Sequence, residues 1–347
     1  MKKEVGASVY VGLKEYPLEE NLRYLDLCKE VGISHVFISA HIPEMNDSFL
    51  FELKEVLKYA SKIGLKMIID INKKVYDEIK DDLNDAYALR LDYGFSIDEV
   101  AKMSKVGKFV VELNASTLSP LKINELKSLG VDLSKIRLSH NFYPKIYTGL
   151  DRERVRELNK RFKEYGINVA IYIPSSNMKR PPMYEGLPSI EEHRFMDLES
   201  ILSEVDPLMC DEVIFGDSYA SKEELLTAIN FDYSEAIIKI RLNKDITSSE
   251  LEQIKKIHYN RSDAPIYFIR SSVRSNDEII PRNPIERKKL DVTIDNRGMR
   301  RYMGEVCIML TDLEADERVN VVGEVVSSID TVNEIYRGRK FRFKIVE

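Results

Sequence analysis

The hydrophobic and polar positions follow two alternating patterns over the first two thirds of the chain. Short apolar runs rich in branched residues, typical of buried strands, are followed by longer segments with apolar residues every three or four positions, typical of amphipathic helices. In one such helix Leu18, Leu22 and Leu25 share a face, and Gly32 is placed to end it. The predicted strands are Val5–Val11, His35–Ser39, Lys66–Ile69, Ala88–Leu91, Phe109–Leu113, Ile136–His140, Asn168–Ile173 and Asp211–Phe215.

This alternation predicts an α/β fold with parallel strands and right-handed crossovers. Eight strand–helix units in about 230 residues are what a (β/α)8 TIM barrel requires. A doubly wound open sheet is the alternative, but no Gly-x-Gly-x-x-Gly turn follows the first strand. In a barrel, the side chains that follow the strands meet at one end and form the active site.

The pattern changes from about Ala236 onward. Six further runs there resemble strands, and one clear helix, near Ser249–Ile257, interrupts them. The runs are Ala236–Leu242, Ile266–Ile269, Val292–Ile294, Glu305–Leu310, Val319–Val326 and Phe341–Val346. We therefore predict a barrel domain over residues 1–234 and a small, mainly β domain over residues 235–347.

Composition and charge narrow the function. The chain has 347 residues, 44% of them hydrophobic and 32% charged, as in ordinary soluble proteins. Its net charge of −6 argues against a nucleic acid or an anionic membrane as the main partner. Cys28, Cys210 and Cys307 form no closely spaced metal pair and no disulfide framework. With no signal-peptide pattern and no apolar run long enough to span a bilayer, we expect a cytoplasmic protein.

The predicted strand ends carry an unusual number of polar side chains. Carboxylates, amides and aromatic rings together suit a sugar, and two carboxylates across a glycosidic bond can act as acid and as base or nucleophile. Asp92 and Asp217 are the first candidate pair, with Glu44 and Asp70 in reserve. The other groups expected at this rim are Glu185, Glu191, His41, His140, His193, Asn72, Asn114, Asn141, Tyr93 and Tyr143.

Each of these residues also has a purely structural interpretation. Asp70 is equally suited to capping the next helix, and Asp92 to an ion pair with Arg90 on the same strand face. His140 fits a buried hydrogen-bonded position, and Asn114 a contact with loop backbone. A helix-start charge would account for Glu191.

Arginines and metal ligands raise two further hypotheses. Arg180, Arg194, Arg270, Arg274 and Arg301 are candidates for binding a phosphate, although most arginines only cover a solvated face. Phosphate-loop, zinc and serine-hydrolase signatures are absent, and no lysine ends a predicted barrel strand as a Schiff-base enzyme would need. We expect no cofactor. A divalent ion held by His41, Asp70, His140 and Asp217 is the alternative.

Several longer motifs add a resemblance to a known family. They are His41-Ile42-Pro43-Glu44, Leu91-Asp92-Tyr93-Gly94, Leu113-Asn114-Ala115-Ser116-Thr117, His140-Asn141-Phe142-Tyr143-Pro144, Gly186-Leu187-Pro188-Ser189-Ile190-Glu191-Glu192-His193-Arg194, Gly216-Asp217, Val292-Thr293-Ile294-Asp295-Asn296 and Arg301-Tyr302-Met303-Gly304-Glu305. In this order they resemble the MupG-type 6-phospho-N-acetylmuramidases, a bacterial family of glycosidases. The resemblance covers nearly the whole chain.

The resemblance implies a (β/α)8 barrel followed by a cyclophilin-like β domain. It implies cleavage of a 6-phosphorylated N-acetylmuramyl–N-acetylglucosamine disaccharide during cytoplasmic recycling of cell-wall fragments. The positions that match the family include Glu44, Asp70, Asp92, Asn114, His140, Asn141, Tyr143, Glu191, His193, Arg194 and Asp217. We expect Arg270 or Arg301 to contact the phosphate. A metal-dependent hydrolase or isomerase, or a non-catalytic sugar-phosphate sensor, are the alternatives.

Overall fold

The computed structural model describes residues 2–40 and 48–347. Their contacts divide the chain into two compact units. The first unit holds residues 2–195 and 205–231, and the second holds residues 196–204 and 232–347. The domain boundaries given above stay a prediction.

Eight parallel strands close into a barrel in the first unit, each paired with the next along the chain and the eighth with the first. This confirms the predicted (β/α)8 architecture. The strands are β1 (Glu4–Val9), β2 (His35–Ser39), β3 (Lys66–Ile71), β4 (Ala88–Leu91), β5 (Val110–Asn114), β6 (Ile136–Ser139), β7 (Asn168–Ile173) and β8 (Glu212–Phe215).

Helices follow the strands along the chain. They are α1 (Leu18–Val31), α2 (Phe49–Ile63), α3 (Lys73–Ile79), α4 (Ile97–Val106), α5 (Pro120–Ser128), α6 (Arg152–Glu164), α7 (Leu198–Glu204) and α8 (Lys222–Asn230). Local signals set their ends: α1 begins after Pro17 and ends at Gly32, which adopts a left-handed φ of 87°. Reciprocal capping boxes begin α4 at Ser96 and α8 at Ser221.

The interior of the barrel is layered. An apolar layer contains Phe37, Ile68, Ala88, Ala170, Tyr172 and Ile214. Toward the amino-terminal ends of the strands lies a polar layer, in which His35 Nδ1 is 2.8 Å from Glu212 Oε1. Arg137 bridges this layer, because it bonds Glu212 and donates to Glu112 Oε2 at 3.1 Å. Side chains inside a barrel are usually apolar, so the hydrophobic pattern of the sequence did not predict this buried charge network.

The second unit is built on a seven-stranded sheet of order β10-β15-β9-β14-β12-β13-β11. The strands are β9 (Glu235–Leu242), β10 (His258–Tyr259), β11 (Phe268–Arg270), β12 (Asp291–Asp295), β13 (Val306–Met309), β14 (Val319–Val325) and β15 (Lys340–Ile345). Within this seven-stranded sheet β9 and β15 pair in parallel, and the other neighbours pair antiparallel. This agrees with a mainly β unit, whereas a likeness to cyclophilin stays a prediction.

Two short elements of this unit were missed. Besides α9 (Ser248–Ile254), the unit contains α10 (Ile329–Asn333), which Ser328 caps by accepting the Thr331 N–H. A one-turn helix and the two-residue strand β10 are too short to leave a periodic pattern. Among the described residues, no helix combines the length and apolar character needed to cross a bilayer.

Candidate active site

The guanidinium of Arg90 organises the polar side chains at the carboxyl-terminal ends of β3 to β6. Arg90 Nη1 donates to Asp70 Oδ1 at 2.6 Å, and Nη2 donates to Asn141 Oδ1 at 2.5 Å. Its Nε donates to Ser139 Oγ at 2.8 Å, and Asp92 Oδ1 lies 3.8 Å from Nη1. One buried cation thus brings together residues from three strands or their ends, β3, β4 and β6.

Strand register explains why these residues meet. Asp70 is the in-register neighbour of Arg90, and Ser39 is the neighbour of Asp70 and donates to its Oδ2 at 3.2 Å. In-register neighbours in a parallel sheet share a face, so these side chains all point into the barrel. Burial is the largest single influence on Arg90 and opposes its charge, but Asp70, Tyr172 and Glu112 together outweigh burial and raise the pKa of Arg90.

The two carboxylates at this rim differ in exposure. The side chain of Asp92 is 22% exposed, whereas that of Asp70 is 6% exposed. Because Arg90 Nη1 lies 2.6 Å from one and 3.8 Å from the other, the two carboxylate oxygens are separated by at most the sum of these distances. The ~5–5.5 Å spacing of retaining glycosidases and the ~6.5–9.5 Å spacing of inverting ones refer to whole carboxyl groups, so this limit on two oxygen atoms is compatible with either class.

Amide and aromatic groups lie beside these carboxylates. Asp92 and Asn114 line a cleft between the ends of β4 and β5 and the helices α4 and α5, with Lys122 also in its wall. Asn72 Nδ2 donates to the Tyr93 hydroxyl at 3.0 Å, and the Tyr93 side chain is 62% exposed. The rim therefore presents accessible oxygen, amide and aromatic surfaces, which together suit a carbohydrate.

A carboxylate that follows β8, Asp217, holds the loop after β7. Asp217 is fully buried, and both of its oxygens accept backbone N–H groups. Ser175 and Leu187 donate to Oδ2 at 3.1 Å each, and Arg180 donates to Oδ1 at 2.9 Å. Burial raises the pKa of Asp217 against these hydrogen bonds. Asp217 is thus engaged in holding this loop, and its pairing with Asp92 stays a prediction.

Glu191 and Arg194 tie the loop after β6 to the loop after β7, where Arg194 Nη1 donates to the Gly186 carbonyl at 2.9 Å. Arg194 Nε donates to Glu191 Oε1 at 2.7 Å, and its Nη2 donates to the Tyr143 carbonyl at 2.8 Å. Glu191 accepts the backbone N–H groups of Tyr147 and Gly149, each at 2.7 Å. A Cβ at Gly149 would lie 2.6 Å from Glu191 Oε2, so glycine is required for this approach. The hydrogen bond from Arg194 lowers the pKa of Glu191 to about 2.

Three more candidates, His140, His193 and Arg180, are buried. His140 is fully buried, and its Nε2 is 2.8 Å from Asn159 Oδ1 on α6. Burial lowers the pKa of His140 to about 4, and its ring lies behind the barrel wall. His193 is also fully buried. The guanidinium of Arg180 lies over the Tyr10 ring at 4.9 Å from the ring centroid.

The remaining candidates are distributed as follows. Tyr143 is partly exposed at the rim, and its N–H donates to the Pro188 carbonyl at 3.0 Å. Arg270 and Arg301 belong to the second unit. His41 and Glu44 lie outside the described residues.

A possible metal-binding arrangement occurs at the opposite end of the barrel. Within residues 2–40 and 48–347, one group of three potential ligands lies close together, namely Glu4, His35 and Glu212. Arg137 Nη1 lies 3.2 Å from His35 Nε2, and Arg137 also pairs with Glu212. The guanidinium of Arg137 therefore already supplies the positive charge at this place, and the three side chains form an ion-pair network with it. The structure does not gather Asp70, His140 and Asp217 into a ligand set.

Fold and rim together define a (β/α)8-barrel protein with an acid- and amide-lined mouth and an attached β unit. Sequence comparison refines this class. The N-terminal profile of 6-phospho-N-acetylmuramidase matches residues 5–230, and the C-terminal profile of the same enzyme matches residues 236–344. The chain therefore belongs to the 6-phospho-N-acetylmuramidase family. No functionally curated protein matches the sequence closely enough to count as a relative.

Two solved structures resemble the whole chain. An uncharacterized B. cereus protein is 26% identical with a TM-score of 0.86, and the match covers 100% of both chains. A conserved protein from Enterococcus faecalis with an unknown function is 27% identical with a TM-score of 0.73. That match covers 99% of this chain and 96% of the other. These similarities support the two-part architecture and add no information on chemistry.

Proposed function

We propose that this protein is a glycoside hydrolase that cleaves 6-phospho-N-acetylmuramyl–N-acetylglucosamine-type disaccharides. The observation that carries the proposal is the pair Asp70 and Asp92, which Arg90 links at the barrel rim, in a chain whose two parts both match the family. Carboxylates at this spacing, beside amides and an exposed aromatic ring, are suited to hydrolysing a glycosidic bond. Such a reaction fits recycling of peptidoglycan fragments in the cytoplasm.

The exposures suggest separate roles for the two acids. Asp92 is the more accessible carboxylate, so we assign it the proton transfer to the leaving sugar oxygen. Asp70 is held by Arg90 and Ser39 in one orientation, and it supplies the second carboxylate beside the sugar. Arg90 is a positioning residue, because its buried guanidinium contacts both acids and orients them toward the barrel mouth.

The neighbouring polar groups would bind the sugar. Asn114, Asn141 and Tyr143 lie at the ends of β5 and β6, where they are placed to hydrogen-bond hydroxyl and acetamido groups. Tyr93 would cover the apolar face of a sugar ring. Loop contacts through Asp217, Glu191 and Arg194 would then shape the site without touching the reacting bond. Glu44 and His41 stay candidates by family resemblance.

The test is incubation of the purified full chain with the phosphorylated disaccharide and separation of the products. We expect equimolar N-acetylglucosamine and 6-phospho-N-acetylmuramic acid, with no loss of rate after chelation. Activity abolished by a chelator and restored by a divalent ion would favour a metal-dependent hydrolase. Tight binding without turnover would favour a sensor. Either result would contradict the proposal.

A further inference from the structure

Three arginines of the second unit surround a single tyrosine ring. The guanidinium carbons of Arg270, Arg274 and Arg301 lie 5.5, 5.2 and 4.8 Å from the centroid of Tyr302. Together with Glu305, these residues form what we call the Tyr302 cluster. Cations above and beside an aromatic ring gain about 0.5–1 kcal/mol each at exposed positions, which offsets part of their mutual repulsion.

The charges of the Tyr302 cluster do not balance. Glu305, with its side chain 2% exposed, pairs with Arg270 and lies 3.2 Å from Arg274. Arg301 donates to the Tyr302 hydroxyl at 2.7 Å, and over the described part of the chain no carboxylate pairs with it. Three guanidinium groups therefore share one paired carboxylate. The nearby Asp295, whose pKa burial raises to about 7, adds less than one full negative charge, so the cluster carries excess positive charge.

The backbone holds these side chains in place before any ligand arrives. Arg274 Nη1 donates to the Arg301 carbonyl at 2.6 Å. A Cβ on Gly304, whose φ is 80°, would lie 2.3 Å from the Ser275 nitrogen, so the two segments pack in direct contact. Arg300, in the same segment as Gly304, adopts a φ of 54°, a strained value for a residue with a side chain. The cluster is thus preorganised by close packing of two chain segments.

The cluster is also accessible. The side chain of Arg274 is 36% exposed, and Arg301 is an exposed residue. Guanidinium groups offer forked N–H donors that match the oxygens of a phosphate, and their charge suits a dianion. An aromatic ring beside them provides an apolar edge for the carbon skeleton of a sugar.

We propose that the Tyr302 cluster is a binding site for a phosphate monoester. Arg301 and Arg274 would donate hydrogen bonds to the phosphate oxygens. Arg270 would stay paired with Glu305 and add to the positive electrostatic potential at the site. That the natural ligand is the 6-phosphate of an amino sugar rests on the proposed function. The phosphate-binding property itself rests only on the geometry and charge of the cluster.

Calorimetric titration of the full chain tests this site independently of turnover. The probes are inorganic phosphate, glucosamine 6-phosphate and uncharged N-acetylglucosamine. We expect the first two to bind, and Arg301→Gln to weaken both by about tenfold, because one charge-assisted hydrogen bond is lost. Arg274→Gln should weaken both similarly, and Arg301→Lys should restore part of the affinity.

Arg297→Gln is the matched control. Arg297 lies on the other side of the kink at Arg300 from Arg301, and it pairs with Glu278 at 3.1 Å outside the cluster. It should leave both affinities unchanged. Thermal unfolding of each variant checks that the second unit is intact.

Three outcomes would overturn the site. They are equal phosphate affinity in wild type and Arg301→Gln, equal loss in the Arg297→Gln control, and binding of inorganic phosphate without binding of glucosamine 6-phosphate. Cluster-dependent binding without disaccharide cleavage would uphold the site and contradict the proposed function. Disaccharide cleavage without cluster-dependent binding would uphold the proposed function and contradict the phosphate site.

Discussion

The two sides of the barrel rim use their carboxylates in opposite ways. At β3 and β4, Asp70 and Asp92 face a buried arginine, and Asp92 keeps 22% of its side chain exposed. After β8, Asp217 is fully buried and accepts three backbone N–H groups. The first arrangement gathers side chains around open space, and the second fastens a loop.

This difference shows that position at a strand end does not determine what a carboxylate does. The partners decide: an acid that faces side chains at an accessible rim is available to a ligand, whereas an acid saturated by backbone donors has a structural task. Glu224 follows the second pattern, since it caps α8 and also accepts the Ser176 N–H at 2.7 Å. The predictions below test whether this distinction carries over to activity and stability.

The largest expected effect is on activity at Asp92. Asp92→Asn removes the proton donor while keeping the side-chain shape, so kcat/KM for the phosphorylated disaccharide should fall by about 10²–10⁴-fold. Initial rates of N-acetylglucosamine release measure this. The unfolding midpoint in urea should be unchanged, and a rate within twofold of wild type would remove Asp92 from the mechanism.

Asp217 should behave in the opposite way. Asp217→Asn turns one acceptor oxygen into an N–H donor that faces backbone N–H groups, which should lower the free energy of unfolding by about 2–3 kcal/mol. Urea unfolding measures the loss, and limited proteolysis within residues 174–188 reports on the loop. Unchanged stability with lost activity would contradict the structural role and revive the original pairing.

A smaller effect should follow from the Glu191–Arg194 ion pair. The pKa of Glu191 is lowered to about 2, so this carboxylate stabilises the fold above its ordinary pKa. That stability is lost as the pH falls from about 4.5 toward 2. Wild type should therefore lose roughly 1 kcal/mol more than Glu191→Gln between pH 6 and pH 3. Urea unfolding at the two pH values checks this, and parallel losses would rule the ion pair out as a source of stability.

An effect of similar size extends the comparison to the second unit. Asp295 ends β12, and burial, helped by the nearby charge of Glu305, raises its pKa to about 7. The folded state therefore retains a proton that the unfolded state has released, and stability declines as pH rises from about 4 to 7. Asp295→Asn should lack this decline and gain roughly 1–2 kcal/mol relative to wild type at pH 8. Equal pH dependence in thermal unfolding of both proteins would refute it.

The sequence contained most of the fold and part of the site. Eight apolar runs separated by amphipathic helices predicted the barrel, because burial imposes those periods. His140 was expected at the rim with a buried position as the alternative, and the period of two, which puts Ser139 and Asn141 on the opposite face, was the signal for the buried position. The buried role of Asp217 was not readable, because its partners are backbone groups of a loop whose path no local pattern specifies. The Tyr302 cluster likewise depends on two segments meeting in space.

The central claim is that the open side of the rim carries the chemistry and the closed side does not. The most direct test compares N-acetylglucosamine release from the phosphorylated disaccharide by wild type, Asp92→Asn and Asp217→Asn, with rates divided by the folded fraction of each protein. We predict that Asp92→Asn loses at least about 10²-fold while Asp217→Asn, per folded molecule, stays within about tenfold of wild type. The reverse order, or no release by wild type, would contradict the account.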